Sequence, residues 1–483
     1  MEREFDVVVV GAGPAGEVAA GRLATRGGKR VAIVEQDLVG GECSFYACMP
    51  SKALLRPAEV LNEVRRVPGA AEAVTGELAV SAALARRDEV VHDLDDSSQL
   101  PWLDDRGIQL FRGSARLDGE RRVVVGEDVL VARDAVVLAT GSTAAMPPIP
   151  GLAEAGAWSN RQITTAREPP RQLVILGGGV VGVEMAQAWA SLGSKVTVIE
   201  ALDSLLANEE PFVGREVGQA LLELGVEQRF GSKAVSVSVS REAPVSVSRE
   251  APDSVSREAP EITIELEDGS AVVGDRLLVA VGRRPLSEGI GLESVGLRDG
   301  GFIEVDDALQ VPGLPWLYAV GDVNGRSLLT HAGKYQARIA ADRILGSSSA
   351  RTVGDGRGSP RVVFTDPEVA AVGMTLAAAR EAGVQVLAVD LPTGTSAGAS
   401  FVGRGAAGTS RFVVDTTRQV LVGVTFVGPG VNDFLQAASV AVTAEVPLSK
   451  LAHVVAPFPT RSELWLAFLE EYERQAGVSV HSG

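Results

Sequence analysis

The chain has 483 residues, of which 46% are hydrophobic and 22% charged, and its formal net charge is −17. Its length exceeds what one hydrophobic core supports and predicts about three domains. The acidic balance argues against a nucleic-acid partner, and the sequence has no uninterrupted apolar stretch of about 18 residues that would predict a membrane span.

The amino terminus lacks the features of a secretory signal. Met1–Phe5 provides neither a basic nor an apolar region before the first predicted strand. Two cysteines in so long a chain are typical of a reducing compartment, where a disulfide is more often catalytic than structural. We therefore expect a cytoplasmic protein with no membrane or nucleic-acid partner, and we predict no metal site.

A glycine-rich turn follows the first predicted strand, Phe5–Val10. The turn carries Gly11, Gly13 and Gly16 and leads into an alanine-rich helix, and Glu35 ends the next strand. Glycines at this spacing permit a tight turn and close approach of a pyrophosphate, and the acid can bind a ribose hydroxyl. The segment is therefore predicted to bind a dinucleotide.

Both cysteines lie in the segment GGECSFYACMPSK, residues 40–52. Cys43 and Cys48 are five positions apart, where a predicted loop runs into a helix. A thiol at a helix N-terminus feels the positive end of the helix dipole, which favours the nucleophilic thiolate. The spacing alone more often means two small buried residues. Gly41, Lys52 and the upstream glycine turn favour a redox pair instead.

The same segment carries a resemblance to a known family. It matches the signature GGxCxxxxCxPSK, so the chain resembles the pyridine nucleotide-disulfide oxidoreductases, the flavoproteins that include dihydrolipoamide dehydrogenase, glutathione reductase and mercuric reductase. The resemblance implies an α/β fold with two Rossmann-like dinucleotide-binding domains, for FAD and NAD, plus an α+β C-terminal dimerisation domain that forms a homodimer. The implied division is FAD-binding 1–150 and 286–350, NAD(P)-binding 151–285, and interface 360–483.

A second fingerprint lies in the range assigned to the NAD(P) domain. Gly177, Gly179 and Gly182 follow a predicted strand, and Glu200 ends the next one. A carboxylate there accepts hydrogen bonds from a ribose 2′-hydroxyl but repels a 2′-phosphate, so NADH is favoured over NADPH. The next four residues, ALDS, offer no arginine for that phosphate.

Residues 237–260 contain one eight-residue unit three times, as VSVSREAP, VSVSREAP and DSVSREAP. This period is too short for a solenoid, and a proline in every unit interrupts a long strand ladder. The alternating valine and serine leave open an extension of two hairpin strands. We interpret the repeats as a tandem expansion inside a surface loop of the NAD domain, without a predicted function.

Four further places in the chain resemble parts of the family's cofactor sites. Thr140 and Gly141 follow a predicted strand in a turn that closes the first part of the FAD domain. Gly282 begins the return to that domain. The resemblance implies that Asp322, at the end of the predicted strand from Leu317, binds the ribityl or phosphate region of the flavin. It also implies that the backbone near Thr330 approaches the flavin ring.

The resemblance also implies an electron path from a nicotinamide through the flavin to the cysteine pair. Cys48 would lie against the flavin as the charge-transfer thiol, and Cys43 would be the interchange thiol that attacks the substrate. Lys52 would lie by flavin N5 and pair with Glu184, because an unpaired buried charge is destabilising.

The chain departs from the family near its carboxyl end. Members that reduce disulfides carry HPTxSE, in which the histidine is the general acid–base and the glutamate orients it. This chain reads PFPTRSE over residues 457–463, so Glu463 is kept while Phe458 takes the histidine position. Phenylalanine cannot transfer a proton, a contribution typically worth about 10²–10⁴-fold. Its apolar ring should also disfavour a thiolate at Cys43.

Three functions therefore stay open. The first is an NADH- and FAD-dependent reductase of a small disulfide or thiol substrate that works without the family histidine. The second is an NAD(P)H reductase of quinones, dyes or a metal ion, in which the cysteines do not attack the substrate. The third is a dihydrolipoamide dehydrogenase-like subunit of a multienzyme complex.

Overall fold

The structure is a computed structural model that describes residues 1–240, 261–355 and 358–480. The chain forms two compact units. The first unit comprises Met1–Pro50, Arg86–Thr143 and Arg283–Pro360, and the second comprises Ser51–Ala85, Ala144–Gly282 and Arg361–Gly483. The four ranges into which the sequence analysis divides the chain stay a prediction.

The described strands, in chain order, are β1 (Glu2–Val10), β2 (Val31–Glu35), β3 (Gln109–Arg112), β4 (Ala115–Leu117), β5 (Arg122–Val125), β6 (Asp128–Leu138), β7 (Ser142–Ala144), β8 (Gln172–Leu176), β9 (Lys195–Ile199), β10 (Glu227–Arg229), β11 (Ala234–Ser240), β12 (Glu261–Leu266), β13 (Ala271–Gly274), β14 (Arg276–Val279), β15 (Arg283–Pro285), β16 (Gln310–Val311), β17 (Leu314–Ala319), β18 (Arg361–Val363), β19 (Glu368–Gly373), β20 (Val386–Pro392), β21 (Thr409–Asp415) and β22 (Val420–Gly428).

The described α-helices are α1 (Pro14–Gly27), α2 (Gly41–Phe45), α3 (Cys48–Arg66), α4 (Val80–Val90), α5 (Leu100–Asp104), α6 (Asn160–Thr165), α7 (Val180–Ser191), α8 (Pro211–Glu223), α9 (Thr330–Ile344), α10 (Leu376–Glu381), α11 (Leu435–Thr443), α12 (Leu448–Leu451) and α13 (Leu464–Ala476). Across the described ranges, none of them is both long and apolar enough to cross a bilayer.

A largely parallel sheet with the order β16-β17-β6-β1-β2-β3 is the centre of the first unit. Successive side chains of its central strand β1 point to opposite faces of the sheet, and both faces are buried. Val7 and Val9 pack in the cluster that contains α1 and α9 residues. Val8 and Val10 pack in a separate cluster with residues of β5. The valine run of the sequence therefore forms the predicted buried strand.

The second unit contains a parallel sheet and two antiparallel sheets. The parallel sheet has the order β10-β9-β8-β14, and the antiparallel sheets have the orders β11-β12-β13 and β18-β19-β22-β21-β20. On the last sheet Phe412 stacks on Phe468 of α13, with ring centroids 4.2 Å apart. Two parallel sheets and a carboxyl-terminal antiparallel sheet with helices confirm the predicted α/β and α+β composition.

Three local predictions need correction. Cys43 lies on the short helix α2 and not in a loop, because Gly40 and Gly41, with φ values of 110° and 63°, turn the chain directly into it. The strand before Asp322 ends at Ala319, so Asp322 lies on a following 3₁₀ turn.

The third correction concerns the repeats. Val237–Ser240 belong to β11 and not to a loop, since their alternation suits a half-buried strand and Val237 pairs with Ile264 of β12. The remaining repeat residues, 241–260, lie outside the described residues.

Candidate functional site

The first glycine turn is a tight backbone cradle between β1 and α1. Gly11 has a φ of 102°, and a Cβ added there would lie 2.4 Å from the Ala139 carbonyl oxygen. A Cβ on Gly16 would lie 1.9 Å from the Gly11 oxygen. At Gly13 the nearest atom to such a Cβ is the Cα of Gly41, at 3.9 Å. Gly11 and Gly16 are therefore required by packing, while Gly13 leaves room for a ligand.

Polar groups around this cradle fit an adenine dinucleotide. Glu35 accepts the backbone N–H groups of Ala12 at 2.7 Å and Asp37 at 2.8 Å, so its carboxylate is held at the glycine turn. Thr140 Oγ1 is buried and has no hydrogen-bond partner among the described residues. A pyrophosphate or ribose bound at the glycine turn would give this buried hydroxyl the hydrogen-bond partner that it lacks. Gly141, the next residue, has a φ of 77°.

Asp322 belongs to a charged network that the sequence analysis missed. It accepts a hydrogen bond from Ser142 Oγ at 2.5 Å, and burial raises the pKa of its carboxyl group. Arg283 donates to Ser142 Oγ at 2.6 Å and to Glu42 at 3.0 Å. From the sequence, Gly282 was assigned only as the start of the return to the FAD domain, and no role was predicted for Arg283. The signal for Arg283 was a cation directly after Gly282, at the point where the chain returns to the FAD domain.

The second glycine turn, in the second unit, repeats this geometry. Gly177 has a φ of 106°, and a Cβ there would lie 2.5 Å from the Ala280 oxygen. A Cβ on Gly182 would lie 1.9 Å from the Gly177 oxygen, whereas one on Gly179 would meet no atom within 4 Å. The second turn therefore leaves open space beside Gly179, as the first turn does beside Gly13. It fits a second dinucleotide.

The acidic residue that follows the second glycine turn is held by backbone N–H groups, in the same way as Glu35. Glu200 accepts the N–H groups of Gly178 at 2.5 Å and Leu202 at 2.8 Å. Its carboxylate thus stands at the end of β9, beside the glycines. Gly282 has a φ of 142° with no atom within 4 Å of an added Cβ, so its backbone is accessible.

The two cysteines are half-buried in the first unit and are not joined in a disulfide. Cys48 Sγ lies 3.4 Å from Thr330 Oγ1, at the start of α9. The hydrogen bond with Cys48 and burial raise the pKa of the Cys43 thiol, while Thr330 and Lys334 lower it. The pair is thus close enough to interact directly, in the unit that also holds the first glycine turn.

Lys52 and Glu184 form an ion pair in the second unit. Lys52 Nζ donates to Glu184 Oε2 at 2.7 Å, and the other carboxylate oxygen accepts the Phe364 N–H at 3.0 Å. The ammonium also lies 4.7 Å from the centre of the Phe364 ring. Glu184 is only 3% exposed, and both of its oxygens have a partner, which a buried carboxylate requires.

The carboxyl-terminal segment, also in the second unit, presents an apolar surface where the family has its histidine. Phe458 is 76% exposed, and the nearby Val454 and Val455 are exposed as well. Glu463 Oε2 is buried and has no hydrogen-bond partner within the described ranges. The carboxylate that the family uses to orient a histidine is therefore present without a histidine at position 458.

Comparisons with known proteins agree with this geometry. A family model described as pyridine nucleotide-disulphide oxidoreductase matches residues 5–337, and that family's dimerisation-domain model matches residues 359–467. The chain belongs to this family. As a pyridine nucleotide-disulfide oxidoreductase it is a flavin-dependent enzyme, and the family implies FAD and a pyridine nucleotide. The two glycine turns described above fit these groups.

Among curated relatives of this oxidoreductase, the dihydrolipoyl dehydrogenase of Thermus scotoductus is 33% identical over 98% of both chains. That of Haloferax volcanii is 32% identical over 99% of this chain and 97% of its own. Among solved structures, the HOCl-induced flavoprotein disulfide reductase RclA from Escherichia coli superposes with a TM-score of 0.80 at 26% identity, covering 96% of this chain and 99% of its own. LpdA from Mycobacterium tuberculosis gives 0.81 at 25% identity, covering 97% and 99%.

Proposed function

We propose that the protein is an NADH-dependent flavoprotein that reduces a small disulfide through Cys43 and Cys48. The observation that carries the proposal is the thiol pair itself, with Cys43 hydrogen-bonded to Cys48 and Cys48 against Thr330. Two adjacent thiols next to a dinucleotide cradle suit a pair that alternates between disulfide and dithiol.

In the proposed reaction the two cysteines act one after the other. Bound FAD supplies the relay of two electrons from the reduced nicotinamide to the cysteine disulfide. The Cys43 thiolate attacks one substrate sulfur, forms a mixed disulfide and releases the first substrate thiolate. Cys48 then attacks Cys43 Sγ, which releases the second thiolate and restores the internal disulfide. Lys52, fixed by Glu184, takes its family position beside the flavin in this proposal.

Glu200 supports the preference for NADH. Its carboxylate is fixed by two backbone N–H groups at the end of β9, where it can accept hydrogen bonds from a ribose 2′-hydroxyl. A 2′-phosphate there would face this negative charge. The dimerisation-domain match supports a homodimer, in which we propose that Glu463 lies at the interface. The low cysteine content supports a cytoplasmic enzyme.

Phe458 favours a second candidate, the reduction of a quinone or dye. Its exposed ring cannot transfer a proton, and such acceptors need no mixed disulfide and no acid–base group at this position. The curated relatives act as dihydrolipoyl dehydrogenases, so lipoamide belongs among the substrates to be tested. The missing histidine weighs against lipoamide as the main substrate.

An acceptor panel tests the proposal on the purified holoenzyme. NADH oxidation is measured with lipoamide, other small disulfides and quinones, and NADPH replaces NADH in a parallel series. We expect turnover with at least one disulfide. We also expect a preference for NADH over NADPH of at least about tenfold, because the carboxylate of Glu200 would repel the 2′-phosphate of NADPH. Turnover with quinones alone would contradict the disulfide assignment and support the second candidate.

A further inference from the structure

One guanidinium group in the first unit joins the helix that carries Cys43 to Ser142 and Asp322. Arg283 Nη2 donates to the Glu42 carboxylate at 3.0 Å and to the Ser142 carbonyl oxygen at 2.8 Å, and Arg283 Nε donates to Ser142 Oγ at 2.6 Å. Ser142 Oγ donates in turn to Asp322 Oδ2 at 2.5 Å, and that oxygen lies 3.7 Å from Arg283 Nε. The planar fork of one arginine therefore bridges two carboxylates.

The three charged groups are largely shielded from water. Arg283 is 23% exposed, Glu42 is 16% exposed and Asp322 is 23% exposed. Removing one partner from such an ion pair leaves the other charge in a partly buried place without a counter-ion, which is more unfavourable than the loss of an exposed pair. The contact between Arg283 and Glu42 therefore restrains the segment to which Glu42 belongs.

That segment is the first turn of α2, where Glu42 directly precedes Cys43. The helix has only five residues, Gly41–Phe45, and so short a helix is not stable without contacts to the rest of the protein. Phe45, which is 1% exposed, holds its last turn in the core. The ion pair with Arg283 holds its first turn, next to the thiol-bearing residue.

We propose that Arg283 is a positioning residue for the thiol pair, which holds the first turn of α2 through Glu42 and so keeps Cys43 where it closes a disulfide with Cys48. The inference rests on the proposed function, because it requires that the two cysteines alternate between dithiol and disulfide. Arg283 acts through Glu42 and the backbone of α2, and not on a sulfur atom. The signature GGxCxxxxCxPSK leaves the position of Glu42 open, so the signature itself does not specify this ion pair.

Loss of the ion pair should disfavour the disulfide. Two thiols that are held together react at a high effective concentration, which favours ring closure. When the first turn of α2 is no longer held, the dithiol form gains conformational freedom that closure of the disulfide must remove. The equilibrium should therefore move towards the dithiol, and for this two-electron couple a tenfold change in the equilibrium constant corresponds to about 30 mV.

The test is the thiol–disulfide equilibrium of the FAD-loaded enzyme at pH 7 in buffers with different ratios of reduced to oxidised dithiothreitol. Reduced dithiothreitol gives two electrons and two protons to the Cys43–Cys48 disulfide and closes to its own cyclic disulfide. The thiols present at each ratio are alkylated with iodoacetamide and counted by mass spectrometry. For Arg283→Met we expect half-reduction at a ratio about tenfold lower than in the unaltered protein.

Glu42→Ala is the second variant, and it keeps the bonds of Arg283 to Ser142, so it tests the ion pair even where Arg283→Met folds poorly. It should shift the ratio in the same direction. If Arg283 acts through Glu42, the double variant should shift the ratio no further than the larger single change. The matched control is Arg284→Met, which removes the neighbouring guanidinium from an exposed pair with Glu288 at 3.3 Å and should leave the ratio unchanged.

A half-reduction ratio that is equal in the unaltered protein, Arg283→Met and Glu42→Ala would overturn the inference and leave the proposed function standing. Single shifts that multiply in the double variant would also overturn it, because the two side chains would then act independently. An equal shift in Arg284→Met would do the same. If the unaltered protein formed no disulfide at any ratio, the proposed function and this inference would both be wrong.

Discussion

Cys43→Ser is expected to lower disulfide reduction by at least about 10³-fold, because the variant has no sulfur to attack the substrate and a serine hydroxyl is a far weaker nucleophile at neutral pH. Cys43 is half-buried on α2, and its thiol interacts with Cys48 and Thr330. Serine is close to cysteine in size, so the fold and the FAD content should be unchanged. The measurement is kcat/KM for the best disulfide of the panel, with NADH in excess.

Quinone reduction by the same variant is the internal control. If electrons reach quinones from the flavin without passing through Cys43, that activity should stay within about threefold of the unaltered enzyme. Loss of both activities together with FAD would indicate a folding defect. Full retention of disulfide reduction by Cys43→Ser would contradict the assigned role of Cys43.

Gly179→Val is expected to lower kcat/KM for NADH by at least about 10²-fold while the protein stays folded. Gly179 has a φ of −75° and its added Cβ meets no atom within 4 Å, so valine fits the backbone and the packing. The new side chain would fill the open space beside residue 179, where the pyrophosphate must approach the backbone. Steady-state kinetics with varied NADH measure the effect, and Tm and FAD content report on the fold.

Gly76→Val is the matched control for this change. Gly76 also has open space around an added Cβ and does not require a positive φ, but it lies in an exposed segment far from both fingerprints in sequence. It should leave kcat/KM for NADH unchanged. Normal NADH kinetics in Gly179→Val would contradict the placement of the nicotinamide cofactor at this turn.

The sequence was sufficient to predict the backbone elements whose determinants are local. The valine run before Gly11 and the glycine spacing predict the strand, turn and helix of the first fingerprint, since each rests on neighbouring residues. Pro50 lies in the first turn of α3, a position where its fixed φ is compatible with a helix. The start of α2 at Gly41 could not be foreseen, because it depends on positive φ values at two glycines that also suit a loop.

The side-chain network of the site could not be read from the sequence. Arg283 is 141 residues from Ser142 and 241 from Glu42, yet it donates to both. Cys48 and Thr330 are similarly remote, 282 residues apart in sequence, and yet the Sγ of Cys48 lies 3.4 Å from the Oγ1 of Thr330. Local sequence patterns cannot predict such long-range contacts, because these contacts depend on the order of the strands in the sheet and on helix packing.

An anaerobic NADH titration of the oxidised holoenzyme is the most direct test of whether Cys43 and Cys48 form a redox-active pair coupled to the flavin. Full reduction is expected to take about two equivalents of NADH per protomer, since the cysteine disulfide and the flavin each accept two electrons. Cys48→Ser should then take about one equivalent. Full reduction of the unaltered protein by one equivalent would contradict the claim.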